Sequence, residues 1–338
     1  MPSPDPIVSV VVANFNGERF LADALASALD QTLRDIEVIL VDDASTDGSL
    51  EIARALASED SRLRVLAREA RSGPGGARND GFAAARGRWI AILDSDDMMH
   101  PARLEQLVGA AEAVHADLIA DDLLIFRDDA PPASLLSARQ RRLGWVSAAD
   151  FIAHNRLLSR EPALGYLKPL IRTAFLRHHG ISYDPALRIG EDYDLIAQLL
   201  AKGARFRLLD TLGYFYRKHV RSISHRLSDE TISEMRAADT RLRALFDKDA
   251  EDIAHAFDVR LSSIERAATL SAIVAALKAR RWGEAGMLAL RNPRAIPLLA
   301  DPIASRLKKL LHPRKDGTPA VAEKQVCLIS RQRVIGNS

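Results

Sequence analysis

The first hundred positions alternate between two hydrophobic periods. Ile7 to Ala13 is a short, β-branched apolar run that predicts a buried strand. Phe20, Leu21, Ala24, Leu25, Ala28 and Leu29 then recur at spacings of three and four, the stripe of a helix. Ile36 to Val41 predicts a second buried strand, Ser49 to Ala57 a helix, and Leu63 to Leu66 a third strand. Gly75 to Ala85 reads as a helix and Trp89 to Leu93 as a fourth strand. Buried strands separated by helices predict an α/β domain with a mostly parallel central sheet and helices on both faces. Ligands of such sheets bind beyond the carboxyl ends of the strands.

Further along, Pro101 to about His115 predicts a helix and Asp117 to Phe126 an extended segment. Residues 127–143, polar and with Pro131-Pro132, read as a loop. Ile171 to His179 and Asp192 to Lys202 read as helices stopped by Gly180 and Gly203, the usual glycine position after a helix. Leu212 to Arg217 predicts a last strand. Residues 227–311 carry helical periodicity with little strand signal, and the tail after Pro313 is polar until Val326 to Ile329. These shifts divide the chain into a domain over residues 1–225, with halves at about 1–100 and 101–225, a helical extension over 226–312, and a loosely docked tail over 313–338.

Charge changes this picture only locally. A net charge of +2 gives no electrostatic footprint for nucleic acid. The single cysteine, Cys327, excludes an internal disulfide and a cysteine metal site, in keeping with a reducing cytosol. No apolar run approaches the roughly 18 residues of a membrane span. Ile303, Leu307, Leu310 and Leu311 alternate with Arg306, Lys308 and Lys309, a pattern that suits a helix on the inner face of an anionic membrane. The same pattern also suits packing against the rest of the chain or a second subunit in an oligomer.

The candidate chemistry sits at the predicted strand ends. Val41-Asp-Asp-Ala-Ser-Thr-Asp47 follows the second strand. Ser45, Thr46 and Asp47 suit a helix cap. Adjacent acids directly after a buried strand are costly without a partner, which marks Asp42 and Asp43 for a nucleoside. Leu93-Asp-Ser-Asp-Asp97 follows the fourth strand. Its crowded carboxylates suit a hard cation, Mg²⁺ or Mn²⁺, able to bridge two phosphates; helix capping is the plainer alternative. Ser72-Gly-Pro-Gly-Gly-Ala-Arg-Asn79 is neither a dinucleotide fingerprint nor a Walker loop. Arg78 there suits a nucleotide or neighbouring carboxylates. Gly190-Glu-Asp-Tyr-Asp194 opens a helix, where acids favour the dipole. Asp192 there could also take a proton from an attacking hydroxyl. Tyr216-Arg-Lys-His-Val-Arg-Ser222 gathers cations, an imidazole and hydroxyls suited to a diphosphate.

In their order and spacing these motifs resemble the family 2 glycosyltransferases, inverting enzymes of the GT-A fold, over roughly residues 7–225. Val10-Val-Val-Ala-Asn-Phe-Asn-Gly17, Val41 to Asp47, Gly76-Ala-Arg-Asn79, Leu93 to Asp97 and Gly190-Glu-Asp192 carry the likeness. The resemblance implies a nucleotide site at Ala13, Asn14, Asp42, Asp43, Arg78, Asp94 and Arg217. It implies a divalent cation at Asp96, with Asp94 and His219, and a catalytic pair Asp192 and Glu191. Asp97, Trp145, Tyr166, Lys168 and Ser222 are candidates for the acceptor or the diphosphate. The expected partners are a nucleoside-diphosphate sugar, UDP-linked by family habit, and a glycan or lipid-linked acceptor in surface polysaccharide synthesis. Gln198-Leu-Leu-Ala-Lys202 lacks the Gln-x-x-Arg-Trp of the family's processive synthases, which implies addition of one sugar. Two readings compete with transfer: a nucleotidyltransferase of similar fold, against which Asn14-Phe-Asn-Gly17 is a poor glycine-rich loop, and a non-catalytic nucleotide- or glycan-binding module.

Overall fold

The structure, a computed structural model, describes residues 5–127, 130–219, 228–247 and 249–292. The amino-terminal half alternates as the periodicity predicts: β1 (Val8–Asn14), α1 (Leu21–Leu29), β2 (Ile36–Asp42), α2 (Ser49–Glu59), β3 (Leu63–Ala67), α3 (Gly73–Ala84) and β4 (Trp89–Asp94). The chain continues through β5 (Met98–Met99), α4 (Arg103–Ala113), β6 (Leu118–Arg127), β7 (Ala130–Ser134), α5 (Ala138–Arg141), β8 (Trp145–Val146) and α6 (Ala148–Ala153). A 3₁₀ turn (Leu164–Tyr166) precedes β9 (Leu170–Arg172), α7 (Thr173–His178), α8 (Glu191–Ala201) and β10 (Phe206–Arg217). The described part ends with α9 (Asp229–Arg243), α10 (Glu251–Lys278) and α11 (Trp282–Arg291).

One sheet runs in the order β3-β2-β1-β4-β9-β6-β10-β5, with β7 beside β6 and β8 beside β10. From β3 to β4 every pairing is parallel. Right-handed crossovers place α1 and α2, which step outward through β2 to β3, on one face. They place α3, which carries the chain back past β1 to β4, on the other. The strand order reverses at β1, so the carboxyl ends of β1, β2 and β4 open onto a switch-point crevice. Val8, Val10, Val11, Val12 and Val38 to Val41 are wholly buried, as a sheet covered on both faces requires.

The second half departs from the expected parallel pattern. β9 lies antiparallel between β4 and β6, while β6 and β10 run parallel to each other. The sheet is therefore mixed, with an all-parallel part formed by β3, β2, β1 and β4. Ile171 and Arg172, read as the start of a helix, belong to β9. Three strand residues are too few to show a period against the helix that follows. Residues 127–143, read as a loop, contain β7 and α5. Pro131 and Pro132 fit there because, among the described residues, β7 pairs with β6 alone and lies at an edge. β10 starts at Phe206, ahead of the expected Leu212, and register shifts between Leu208 and Tyr214 interrupt its alternation.

The extension is not a separate body. Leu242 of α9 and Ala256 and Phe257 of α10 belong to the same apolar core as the sheet. Residues 293–338, including the apolar and basic stretch at 303–311, lie outside the described residues.

One buried carboxylate ties the floor of the parallel part. Glu37 of β2 is 3% exposed and accepts hydrogen bonds from Ser9 Oγ (2.7 Å) and Arg86 N (2.7 Å). The Arg86 and Arg64 guanidiniums reach its other oxygen at 3.0 and 3.1 Å. Burial opposes its charge, yet these donors together hold it below its ordinary value of 4.5. A carboxyl depressed in the folded state stabilises the fold above the unfolded pKa and loses that contribution as pH falls through the folded one. Glu37→Gln should lower the free energy of unfolding by about 2 kcal/mol at neutral pH. In urea titrations from pH 7 downward, the gap to wild type should close below pH 4.5.

Candidate active site

Asn14 ends β1 in register with Asp42 at the end of β2. Asn14 Nδ2 donates to Asp42 Oδ1 (2.9 Å) and to Ser45 Oγ (3.2 Å). Ser45 donates through N (2.9 Å) and Oγ (2.6 Å) to Asp42. Asp43 accepts from Ser72 N (2.9 Å) and Gly73 N (2.8 Å), with Arg68 Nε at 3.2 Å. Both buried acids thus have the partners that burial demands, all of them from the protein itself. They shape the lip of the crevice, and any ligand meets lone pairs left over from that task. The backbone of Ala13 lies between Val41 and Asp94. Beside Asp43 the Arg71 guanidinium covers the Phe15 ring at 3.8 Å, a planar pair the motif reading did not single out.

Deeper in the crevice, three carboxylates meet two cations. Arg78, 4% exposed, reaches Asp94 (2.6 Å), Glu191 (3.0 Å) and Asp192 (3.3 Å). Lys168 Nζ bridges Asp94 (2.8 Å) and Asp192 (2.6 Å). Tyr183 Oη donates to Asp192 Oδ1 (2.8 Å), and its ring lies 5.2 Å from the Arg78 guanidinium. Gly75 lets α3 sit this close, since a Cβ there would meet Asp184 O and Tyr183 Cβ at 3.3 Å. Burial opposes the charge of Asp94 and Asp192, but Lys168 and then Arg78 outweigh it and hold both below the usual carboxylate range. Burial raises Glu191, and the adjacent Asp192 raises it further. Two neighbouring acids are thereby pushed apart, the arrangement that separates proton-holding from proton-accepting roles.

The same short segment also faces β10. Asp96 Oδ2 lies 2.8 Å from His219 Nε2 and stays partly open to solvent. Asp97 is fully buried, accepting from Tyr214 Oη (2.8 Å) and Arg217 N (2.7 Å). Named above as a candidate for the acceptor or diphosphate, it binds the end of β4 to β10, with one hydrogen bond on each carboxyl oxygen. Arg217 donates to Asp96 O (2.9 Å), and its guanidinium lies between the Phe20 and Phe126 rings, 4.4 and 4.9 Å from their centroids. Among the described residues no three acid, imidazole or thiol groups form a metal cluster. Asp96 and His219 still suit a cation that takes its remaining ligands from substrate phosphates and water, the usual habit of Mg²⁺ in such sites. Asp94, expected to share the cation, has one oxygen on Arg78 and the other on Lys168.

Of the other acceptor candidates, Lys168 joins the cluster, and Tyr166 is exposed two residues away, its ring 6.4 Å from that of Tyr216. Trp145 is not brought there. It pairs with Arg207 near the start of β10, whereas Arg217 at the far end of this 12-residue strand faces the crevice. Ser222 lies outside the described residues. Tyr183 and Tyr214 carried no recognisable signal: Tyr214 meets Asp97 from 117 residues away, and Tyr183 lies in no motif, nine residues before Asp192.

Behind the acids, α8 is braced by the extension. Its cap, Gly190, has φ of 87°, and Ile189 packs on Ile232, Met235 and Ile264. Arg241 of α9 holds buried Asp194 (2.7 Å) and also Asp184 (2.9 Å), the residue after Tyr183. Arg260 of α10 stacks on the Tyr193 ring at 3.7 Å and pairs with Asp239 at 3.0 Å. Both faces of the turn that presents Glu191 and Asp192 are thus fixed.

Comparison with known proteins bears on this arrangement. Residues 9–165 match the family described as Glycosyl transferase family 2. The chain is 37% identical over 324 residues to the "Succinoglycan biosynthesis protein ExoO" of Rhizobium meliloti, covering 94% of this chain and 92% of that protein. S. aureus TarS 1-349 in complex with UDP-GlcNAc superposes with a TM-score of 0.61 at 22% identity, over 77% of this chain and 71% of that one. The Pyrobaculum calidifontis mannosyltransferase PcManGT in complex with GDP-Man and Mn²⁺ gives 0.53 at 20% identity, over 91% and 88%. At these identities the two structures are likenesses of fold.

Lys168 is the group that most lowers Asp192. In Lys168→Met, the Asp192 carboxyl carbon, followed by ¹³C NMR, should titrate at higher pH than in wild type, where it should titrate below its ordinary value of 3.8. Identical titrations in the two proteins would contradict the charge balance described.

Proposed function

The chain belongs to glycosyl transferase family 2, and from that premise we propose that it transfers one sugar from a nucleoside diphosphate, UDP by preference, to an acceptor hydroxyl with inversion. The observation that carries the reading is the pairing of Asp192, ionised between Lys168 and Arg78, with the Asp96–His219 pair across Asp94. One group suits the attacking hydroxyl and the other the departing diphosphate.

In the proposed reaction the acceptor oxygen bonds to the anomeric carbon as the bond from that carbon to the diphosphate oxygen breaks. The hydroxyl proton passes to Asp192. A carboxylate held at low pKa suffices, because the hydroxyl becomes acidic mainly as the new bond forms. Tyr183 and Lys168 fix the carboxylate in place, and Glu191 beside it keeps the neutral form more readily. Asp94, held by its two cations, would lie on the side of the sugar and ribose. Asp96 and His219 would hold Mn²⁺ or Mg²⁺, which supplies charge neutralisation for the diphosphate, a contact of a kind worth roughly 3–4 kcal/mol of barrier. The Phe15–Arg71 pair, with Asp42 and Asp43 behind it, suits the face and edge of a nucleobase.

Addition of a single sugar is supported by Gln198. Its amide is spent on Asp194 (2.7 Å) and Ser182 O (3.2 Å), away from the crevice. A role in surface polysaccharide synthesis is supported by the name of the 37% identical relative, and the acceptor would then be a glycan or its lipid-linked form. No helix among the described residues is long and apolar enough to cross a membrane.

The test is Mn²⁺-dependent binding of UDP, GDP and CDP, followed by release of the diphosphate from the matching sugar donors. Asp96→Ala should abolish the Mn²⁺ dependence of binding. Asp192→Asn should keep that binding and lose transfer by about a thousandfold or more. Full transfer by Asp192→Asn would remove the base assignment. Release of pyrophosphate from a nucleoside triphosphate would replace the reading with a nucleotidyltransferase.

A further inference from the structure

A second cavity lies away from the crevice, between the loop after α6 and the middle of α10. Arg156, Leu157, Leu158, Ser159, Arg160, Glu161 and Arg266 line it, and it encloses about 290 Å³. The loop is anchored to α10 at three points. Arg260 donates to Asn155 O, Leu157 N donates to Ser263 Oγ (3.0 Å), and the Leu157 side chain packs with Ile264. Leu158 then takes a left-handed conformation, φ of 56°, an uncommon one for a branched side chain and a sign that the turn is held by its surroundings. These restraints set Arg156 and Arg160 opposite Arg266, which lies one turn beyond Ser263.

The charge in this cup is uncompensated. Most guanidiniums deeper in the molecule meet a carboxylate, as Arg78, Arg103 and Arg260 do. Among the described residues, Arg156, Arg160 and Arg266 pair with none, and Nε of Arg156 is buried with no hydrogen-bond partner at all. The one acid in the lining, Glu161, is turned to His154 Nε2 at 3.5 Å. A buried donor without an acceptor is costly. A planar guanidinium fork is matched by phosphate oxygens, which it can engage through two bonds at once. The volume corresponds to about ten waters at roughly 30 Å³ each, more than one phosphate group requires. Leu158 in the rim is 44% exposed, and Leu261, just over a turn before Arg266, is 40% exposed.

From the three unpaired guanidiniums, the orphaned Nε and this volume, we propose that the cup is a binding site for a phosphate-type polyanion, a diphosphate ester by size. It is separate from the donor's diphosphate at Asp96 and does not depend on the transfer reaction. Arg160 and Tyr166 are six positions apart in the chain, so the two lie within about 22 Å of each other.

Calorimetry on the full chain in excess EDTA, which silences any metal-dependent site, tests this with two probes, inorganic pyrophosphate and farnesyl diphosphate. Wild type should bind pyrophosphate, and Arg160→Gln/Arg266→Gln should bind it at least tenfold more weakly. Arg156→Gln should do the same, but its partly buried side chain calls for a check of folding by circular dichroism, and the double variant carries the test if it misfolds. Farnesyl diphosphate bound tenfold more tightly than pyrophosphate, with the gain lost in Leu158→Ser, would assign an amphiphilic ester. Equal binding of the two would assign a soluble diphosphate. No binding of either probe at millimolar concentration, or binding unchanged in the double variant, overturns the proposal. Neither result bears on Asp192, because no step of transfer is measured.

Discussion

Three carboxylates cannot share a nearly dry crevice unless cations share it with them. Asp94, Glu191 and Asp192 come from two distant segments, and Arg78 and Lys168 come from two others. The cluster therefore closes only when α3, β4, β9 and α8 have all docked. Much of the local architecture serves that closure. Gly75 admits α3 against Tyr183 and Asp184, and Gly81 lets the same helix lie on Val11, where a Cβ would come within 2.3 Å of its side chain. The left-handed Gly190 turns the chain into α8 so that Glu191 and Asp192 emerge in its first turn.

The segment Asp94–Asp97 shows how one short motif can serve three purposes. Asp94 faces the cations, Asp96 faces His219, and Asp97 is buried under Tyr214 and Arg217. Burial raises Asp97 well above the usual carboxylate range, and Asp96 and Asp94 add to this. Its neutral form can donate or accept within the lock between β4 and β10. The two less buried acids are thus positioned by a third that is locked between β4 and β10. Burial separates the three: Asp97 is fully buried, while Asp94 and Asp96 keep some exposure.

The strand ends of the parallel half were legible because each motif is contiguous and follows an unbroken apolar run. Asp42, Asp43, Asp94 and Asp96 could be singled out that way, while Arg78 and the Glu191–Asp192 pair stood out as contiguous motifs at helix starts. Lys168 could be named only as a loose candidate, and Tyr183 not at all, since nothing local to Tyr166-Leu-Lys168 or Ile181-Ser-Tyr183 reveals a carboxylate that arrives from α8. The mixed part of the sheet was opaque for a related reason. β9 has three residues and β8 two, lengths at which no period can be seen, and their pairing is decided by neighbours far away in sequence. Asp42 and Asp43 do have partners, but these come from the protein itself: Asn14 and Ser45 for Asp42, and Ser72, Gly73 and Arg68 for Asp43.

The brace behind α8 has a consequence for how such a chain can be divided. Asp194 has no exposed surface, and its cation, Arg241, arrives from α9, well after β10 has completed the sheet. Tyr193 likewise rests on Arg260 of α10. A cut drawn at the sheet's last strand would look like a domain boundary, yet it would strand a buried negative charge and bare an aromatic ring on the helix that carries Asp192. The extension is consequently part of the minimal folding unit. Gene fusions or domain exchanges within this lineage would have to carry α9 and α10 along with the acids they support.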